Sequence, residues 1–592
     1  MPKSPDQRAQ RLPEQGKGER KKGDERPSLP EEQLAKGEDY LNRKKWLPPQ
    51  SGIIPRVRVA GWWINVLWAI PIGAVGLVIC IAIAQELRTL PAVQHFIAAY
   101  PGDVGTGVYT GFPLWLRLIH FFNFFLIFFI IRSGIQILAD HPRLYWNRNS
   151  TPGTSWFRFQ HPVPRDRVWT SKDDSVTLPG WLGIPGLRHT VGLARQWHFF
   201  VDLLWLINGI AFYILLFSTD QWKRLVPLSW HVFPAAASTA LQYASLRFPA
   251  NHGWIYFNGL QVIAYFITVF VAGPLAVITG LLQSPAVSNK IGWLGRTFHR
   301  QVGRSVHFFV LCWFVFFLAV HLTMIFITGV FTNLNHMFAG TNSQGPAGFE
   351  IFCGAMLVVI VTWFLASPMT IRHARWVQTS GETLVGWLKG LAELWNPTNQ
   401  YSERQLAPHF WPNGTMPDSQ EFEHLKESDF ADYQLRVGGL VENPRAFGYD
   451  ELKALPKQEQ ITEHFCIQGW SGVAKWGGVP MRHLLDIVKP LPEARYVVFY
   501  SYADGAEGGR YYDVHRLENM HHSLTILAYE MNGKPVSVLH GAPLRLRVEN
   551  ELGFKMIKWI ESIDFVEDFK QLGSGRGGYN EDHEFYGYRE PI

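Results

Sequence analysis

The sequence predicts a membrane all-α bundle of about six transmembrane helices followed by a soluble, strand-rich α+β domain. Six apolar stretches, at 62–84, 114–138, 197–217, 254–282, 302–331 and 349–366, are long enough to cross a hydrocarbon core about 30 Å thick. Beyond about residue 395 the pattern changes to short alternating runs, at 433–437, 496–500 and 544–548, separated by Asn-Gly, Asp-Gly and Gly-Gly turns. Hydrophobic residues make up 47% and charged residues 18%, yet mean hydropathy is −0.02. A chain that averages to neutrality this way has an apolar half and a polar half.

The first segment, 1–58, is a basic tail rich in Pro, Gly, Glu and Gln, and the first sixty residues carry fourteen of the 55 Lys and Arg. It has too little apolar surface to fold and reads as a disordered cytoplasmic arm beside the membrane, with no nucleic-acid partner. The membrane domain is placed at 59–370 and a linker with an amphipathic helix at 371–404. The soluble domain fills 405–592, where 479–488 is the clearest helical pattern. The 24 Trp and 41 Phe suit interfacial belts and cofactor-lined helices. Of four cysteines, Cys80, Cys312 and Cys353 lie in apolar segments and only Cys466 in the soluble half. No C-x-x-C pair exists, which removes the usual signatures of iron–sulfur clusters, zinc sites and c-type haem.

Loop charges set the orientation. The segment before the first helix is basic, and the second-to-third loop carries Arg143, Arg148, Arg158, Arg165, Arg167, Lys172 and Arg188. Lys290, Arg296, Arg300 and Arg304 follow the fourth helix, and Arg372 and Arg375 follow the sixth. The alternate loops hold only Arg88, then Lys223, Arg224 and Arg247, then none. The positive-inside rule puts both termini in the cytoplasm. No apolar leader or twin-arginine signal is seen at the N-terminus, so the soluble domain is expected at the cytoplasmic face of a bacterial inner membrane.

His307 and His321 lie fourteen residues apart in the fifth helix. Fourteen steps return to within roughly 40° of one helix face and rise about 21 Å, so one helix offers an imidazole near each membrane surface. Histidine in lipid is costly and reads as functional. His120 opens the second helix on the outer side, and His198 opens the third on the inner side. The four histidines therefore sort into two depth-matched pairs, His120 with His321 and His198 with His307. A low-spin haem needs two axial imidazoles at one depth from different helices. His231, His252, His336 and His373 fall in loops or helix ends and are not assigned as ligands.

R-x-x-H at the start of one helix and H-x13-H on a later one resemble the di-haem cytochrome b subunits of formate dehydrogenases and Ni/Fe hydrogenases. The match spans about 110–335 and leaves the two outer helices as additions. The resemblance implies two b haems, a quinone pocket and electron traffic between a catalytic unit and the quinone pool.

In the soluble half, Cys466 lies in E-H-F-C-I-Q-G-W-S-G. Farther on come H-G-A-P-L-R, from His540 to Arg545, and G-F-K-M-I-K-W, from Gly553 to Trp559. A high-valent molybdenum centre wants a thiolate, and a pyranopterin phosphate wants cations, which Arg545, Lys555 and Lys558 offer. Alternation puts Arg545 and Arg547 on one sheet face. In order and spacing these motifs resemble the sulfite oxidase family of molybdopterin enzymes, over about 405–570. The resemblance implies that Cys466 ligates molybdenum and is the catalytic residue. It also implies that His540, Gly541, Arg545, Met556, Ile557 and Lys558 bind the cofactor. Ser501 sits where the methionine-sulfoxide reductase branch has a cofactor-contacting Thr, and Asn413, in F-W-P-N-G, is matched to an N-terminal cofactor Asn. His464 and Gln468 either face substrate or fix the loop; His521 and His522 are either structural or cofactor-adjacent.

One departure matters. Sulfite-oxidising relatives place arginines just after the metal cysteine, whereas here Ile467, Gln468, Gly469 and Trp470 follow. C-x-x-x-W-S resembles the methionine-sulfoxide reductase branch, which places sulfite in doubt as substrate. The expectation is a membrane-bound molybdopterin oxidoreductase passing electrons between a small substrate and quinone through two b haems. The rival is a membrane transporter or sensor whose soluble domain has lost its metal. Lipid, quinone and a small-molecule substrate are the expected partners; a further redox subunit or a homodimer is left open.

Overall fold

A computed structural model describes residues 54–102, 111–164, 168–186, 190–249, 253–288, 297–393, 401–506 and 508–592. The tail expected at 1–58 lies outside the described residues up to position 53, and so does His252. Six helices are long and apolar enough to cross a membrane: α1 (Val66–Leu87), α2 (Leu114–Asp140), α3 (Val191–Ser218), α4 (Gly259–Leu282), α5 (Arg300–Ile327) and α6 (Ala347–Arg372). Their lengths of 22–28 residues reach or exceed a hydrocarbon core of about 30 Å at about 1.5 Å per residue.

Several bounds differ from the expected ones, for local reasons. α3 begins at Val191, so His198 stands two turns inside it rather than at its start. α4 starts at Gly259, not 254, with Asn258 capping it through a bond accepted from Gln261 N. A π turn, Ile267–Ala272, interrupts α4 just before Pro274, which has no N–H to give the ladder. α5 ends at Ile327 rather than 331, because Gly329 turns the chain at φ 123°. Asn333 Nδ2 then caps the freed Ile325 carbonyl at 3.0 Å. Shorter helices at Pro91–Ala99 and Val232–Ala244, too polar or short to register as spans, fill the connections on the α1 and α3 far ends.

A four-stranded sheet, β2-β1-β4-β3, covers the near end of the bundle; its strands are β1 (Arg56–Val59), β2 (Trp62–Asn65), β3 (Arg143–Leu144) and β4 (Phe157–Arg158). After α6 the helix α7 (Ala374–Glu393) leaves Trp376 and Trp387 exposed on one face and buries Gln378 on the other.

The soluble domain is built on two five-stranded sheets. One runs β10-β9-β14-β5-β6, from β5 (Gln434–Gly439), β6 (Arg445–Gly448), β9 (Tyr496–Asp504), β10 (Arg510–Arg516) and β14 (Ile560–Val566). The other runs β12-β11-β8-β7 with β13 beside β11, from β7 (Gln458–Phe465), β8 (Ser471–Pro480), β11 (Ile526–Met531), β12 (Lys534–Pro535) and β13 (Arg545–Arg547). Among the described strands only β14 and β5 pair in parallel. The helix expected at 479–488 is Met481–Val488, because Val479 and Pro480 finish β8.

The two halves interlock. The α2–α3 loop, legible in sequence only as a basic stretch, is a floor for the soluble domain. Ser150 N donates to Ser471 O and Ser471 N to Ser150 Oγ, Arg148 pairs with Glu463 at 2.6 Å, and Trp411 Nε1 donates to Ser150 O at 2.6 Å. The C-terminal tail returns to the bundle: Glu590 holds Arg195 at 3.0 Å and Lys389 at 2.8 Å, and Gln378 Nε2 donates to Glu581 O and Tyr586 O.

Candidate redox centres

Cys466 follows the end of β7, and its loop returns to β8 through a tight turn in which Cys466 N donates to Trp470 O and Gly469 N to Cys466 O. The thiol is 3% exposed, among Phe410, Trp411, Trp470 and Trp476. Burial pushes it up to about 12, so alone it is a neutral thiol; a bound metal ion would take it as thiolate. One cavity collects nearly every cofactor residue expected from sequence: Asn413, Cys466, Ser501, His540, Arg545, Met556, Ile557 and Lys558. Gly541, at φ 115°, lies directly beside Lys558 and Arg545, where a Cβ would crowd both side chains.

The cations in this cavity bear on what it can hold. Arg545 Nη1 donates to His540 O at 2.8 Å, its Nε has no partner, and its face lies on the Trp476 ring. Burial and the neighbouring Arg547 hold it well below its ordinary range. Lys558 bonds only to the carbonyls of Asn413 and Leu539, and desolvation with the Arg545 charge depresses it strongly. Two cations without a carboxylate are costly unless an anion joins them. Trp470 Nε1, also in the cavity, is buried without a partner. This donor set fits a group with a phosphate tail and a metal seeking one thiolate.

Some expected roles change. Lys555, offered as a cofactor cation, is spent on a buried cluster with Asp513 and Glu581 (2.5 Å), so it is structural. The Ser501 hydroxyl donates to Lys558 O at 2.8 Å and accepts from Ala503 N, so it braces the Lys558 segment. The Asn413 side chain accepts from Gly414 N; its backbone carbonyl meets Lys558. Arg547 shares the sheet face with Arg545, as alternation requires, but is committed to Glu549 at 2.8 Å. Gln468 reaches Asp140 O and Ser171 O and so fixes the loop, whereas His464, which meets Arg547 at 3.0 Å, also lines the cavity. His521 and His522 line a different cavity.

Sequence reasoning missed the bundle's share of this site. Lys172 lines the cavity from the α2–α3 loop, Trp169 packs on the aromatic cluster, and Ser171 N donates to Pro412 O. The first turn of α5 also grips the Cys466 loop. Arg300 Nη1 donates to Cys466 O at 2.8 Å, Gln301 Nε2 to Gly469 O at 2.9 Å, and Arg304 Nη1 to Gly469 O at 3.2 Å. Gly469, at φ 110°, leaves no Cβ to collide with the Arg304 guanidinium.

On the same helix α5, the His307 ring faces His198 of α3, with ring centroids 6.4 Å apart. Two metal–imidazole bonds of about 2 Å each, plus the offset of each nitrogen from its ring centre, come to about 6 Å. Each ring is steered by a hydroxyl: Ser133 Oγ lies 2.9 Å from His198 Nδ1, and Thr279 Oγ1 lies 2.9 Å from His307 Nδ1. Each hydroxyl is followed by a glycine, Gly134 or Gly280, whose hydrogen faces the imidazole edge. That repeated hydroxyl–glycine pair on α2 and α4 was a readable signal. His198 Nε2 lies 3.4 Å from Asp202, a contact that iron at Nε2 would replace. His120 and His321 lie within electrostatic reach of one another; His120 Nδ1 has no partner, and His321 is packed by Phe317 and Tyr265. His336, the one buried among the described histidines of His231, His336 and His373, bonds Asn342 at 2.7 Å.

Residues 111–340 match the family described as prokaryotic cytochrome b561, and residues 423–572 match the oxidoreductase molybdopterin binding domain. The putative protein-methionine-sulfoxide reductase subunit YedZ1 of Azospira oryzae is 33% identical over 31% of this chain and 68% of its own length. The protein-methionine-sulfoxide reductase catalytic subunits MsrP of Xanthomonas axonopodis and Xanthomonas campestris are each 39% identical over 23% of this chain. This chain spans under half, 45%, of their length. A crystal structure of the sulfane dehydrogenase SoxCD from Paracoccus pantotrophus aligns with 23% of this chain and 39% of that one. The identity is 24% and the TM-score 0.21, too slight to bear on the site. The chain belongs to the family of the Azospira oryzae subunit, and it joins a haem-binding cytochrome b561 bundle to a sulfite oxidase-type molybdopterin domain in a single membrane oxidoreductase.

Proposed function

We propose that this protein exchanges an oxygen atom and two electrons with a small substrate at Cys466 and passes the electrons through two b haems to or from membrane quinone. The observation that carries this reading is the grip of α5 on the Cys466 loop: the helix that bears His307 and His321 begins by bonding the backbone of the metal cysteine.

In this reading Cys466 supplies the thiolate to molybdenum. Arg545 and Lys558 hold the pterin phosphate, with His540, Gly541, Met556 and Ile557 forming the cradle, Asn413 contributing its carbonyl to Lys558, and Ser501 bracing that segment. His198 and His307 hold the haem nearer the soluble domain, and His120 and His321 hold the other. When bound, molybdenum supplies two-electron oxygen-atom transfer. The walls favour an uncharged substrate, since Phe410, Trp411 and Trp470 surround Cys466 and His464 is kept neutral by burial and by Arg547. The methionine-sulfoxide reductase relatives make a sulfoxide the first substrate to test: sulfoxide, two electrons and two protons give thioether and water. The basic helix ends lie on the side of the soluble domain, which supports a cytoplasmic catalytic face on a bacterial inner membrane.

The test uses the purified full chain reduced with dithionite. Sulfoxide should reoxidise the b haems, and Cys466→Ala should stop this while keeping its haem. Absence of haem and molybdenum from the protein, or equal reoxidation in the variant, would overturn the reading.

A further inference from the structure

Arg300 is a buried cation missing a partner. The residue is 5% exposed; its guanidinium makes its single bond among the described residues to Cys466 O and leaves Nε unbonded. Arg304, four residues on, bonds only the carbonyls of Gly469, Arg143 and His141. The arginines around them are paired with acids: Arg143 with Asp174 at 2.7 Å, Arg148 with Glu463 at 2.6 Å and Arg195 with Glu590 at 3.0 Å. Arg132, buried in the bundle without an acid, is saturated by four carbonyls and the Ser367 hydroxyl. Among the described residues Arg300 has neither an ion pair nor a full set of carbonyls; Glu463 and Cys466 lie within electrostatic reach, but Glu463 is paired with Arg148. A buried guanidinium left so is expensive unless an anion completes it.

The placement says which anion. Arg300, Arg304 and His307 stand at spacings of four and three on α5, within roughly 60° of one face. Arg300 is about 10 Å nearer the soluble domain along the axis, a span comparable with that from a haem iron to its propionate carboxylates. We propose that Arg300, seconded by Arg304, binds a propionate carboxylate of the haem on His198 and His307 while holding Cys466 O, so that one side chain joins the two redox centres. The inference rests on the functional reading above. A guanidinium is suited to this double duty because its planar fork spreads five donors over two partners. The buried positive charge favours the reduced state of that haem, and the bond to Cys466 O fixes the separation of the centres.

The experiment is a potentiometric titration of haem absorbance in the purified full chain, comparing wild type with Arg300→Gln and Arg300→Lys. Arg300→Gln should shift the reduction equilibrium of one haem tenfold or more toward the oxidised state, about 59 mV for a one-electron couple. The shifted haem should be the one lost in His307→Ala, with the other unmoved, and Arg300→Lys should retain most of the wild-type value. Arg304→Gln should shift the same haem and serves if Arg300→Gln does not accumulate. Repeating the titration on protein made without molybdopterin separates the sources of the anion. Persistence of the shift supports a propionate; its disappearance assigns the anion to the molybdenum cofactor and overturns the proposal, as would unmoved potentials in both glutamine variants. Wild-type protein without haem would instead sink the functional reading itself.

Discussion

The two histidine pairs of the bundle are built to different tolerances. His198 and His307 already stand 6.4 Å apart between ring centres, each Nδ1 met by a hydroxyl from a neighbouring helix. Among the described residues His120 and His321 show no such bracing: the His120 Nδ1 is unbonded, and Phe317 and Tyr265 pack against His321. The braced pair lies on the side where the soluble domain docks. A hydrogen bond to the far nitrogen of a ligand ring fixes its direction and tunes a metal, so under the proposed function the better-braced pair stands where a fixed distance to the Cys466 loop matters most. The looser pair is left to the far side of the membrane.

Removing a ligand should break this contrast most visibly. His307→Ala should yield protein with one haem per chain instead of two, and His120→Ala likewise, but the two residual spectra should differ because they report different sites. Loss of both haems or of neither, by pyridine haemochrome assay, would defeat the pairing. A smaller effect is expected from Thr279→Val, which removes the hydroxyl and keeps the shape. Loss of such a bond to a ligand ring weakens metal retention by about 10–100-fold. Haem transfer to apomyoglobin should accelerate for one haem only; equal acceleration of both would show that the hydroxyl does not belong to one centre.

What the sequence made legible follows the same division. The His307–His321 spacing could be read because a helix has a fixed period and a bilayer a fixed thickness. The Cys466, His540–Arg545 and Gly553–Trp559 motifs could be read because cofactor chemistry demands those groups together. Which lysine of G-F-K-M-I-K faces the cofactor was not legible locally. Asp513 and Glu581, which neutralise Lys555, come from β10 and the C-terminal tail. The grip of Arg300 and Gln301 on a loop about 165 residues later was invisible too, since a basic residue at a helix end reads equally well as a topology signal. The Ser133–Gly134 and Thr279–Gly280 pairs could have been found by asking what steers a ligand ring once the ligand is assigned.

The proposed proximity of a molybdenum site at Cys466 to a haem on His198 and His307 is most directly measured by spin relaxation. In the half-reduced full chain, the molybdenum EPR signal should relax faster when that haem is ferric, in wild type and in His120→Ala alike. His307→Ala should abolish the enhancement. Enhancement that survives in His307→Ala, or that vanishes only in His120→Ala, would contradict a path leading from the Cys466 loop into α5.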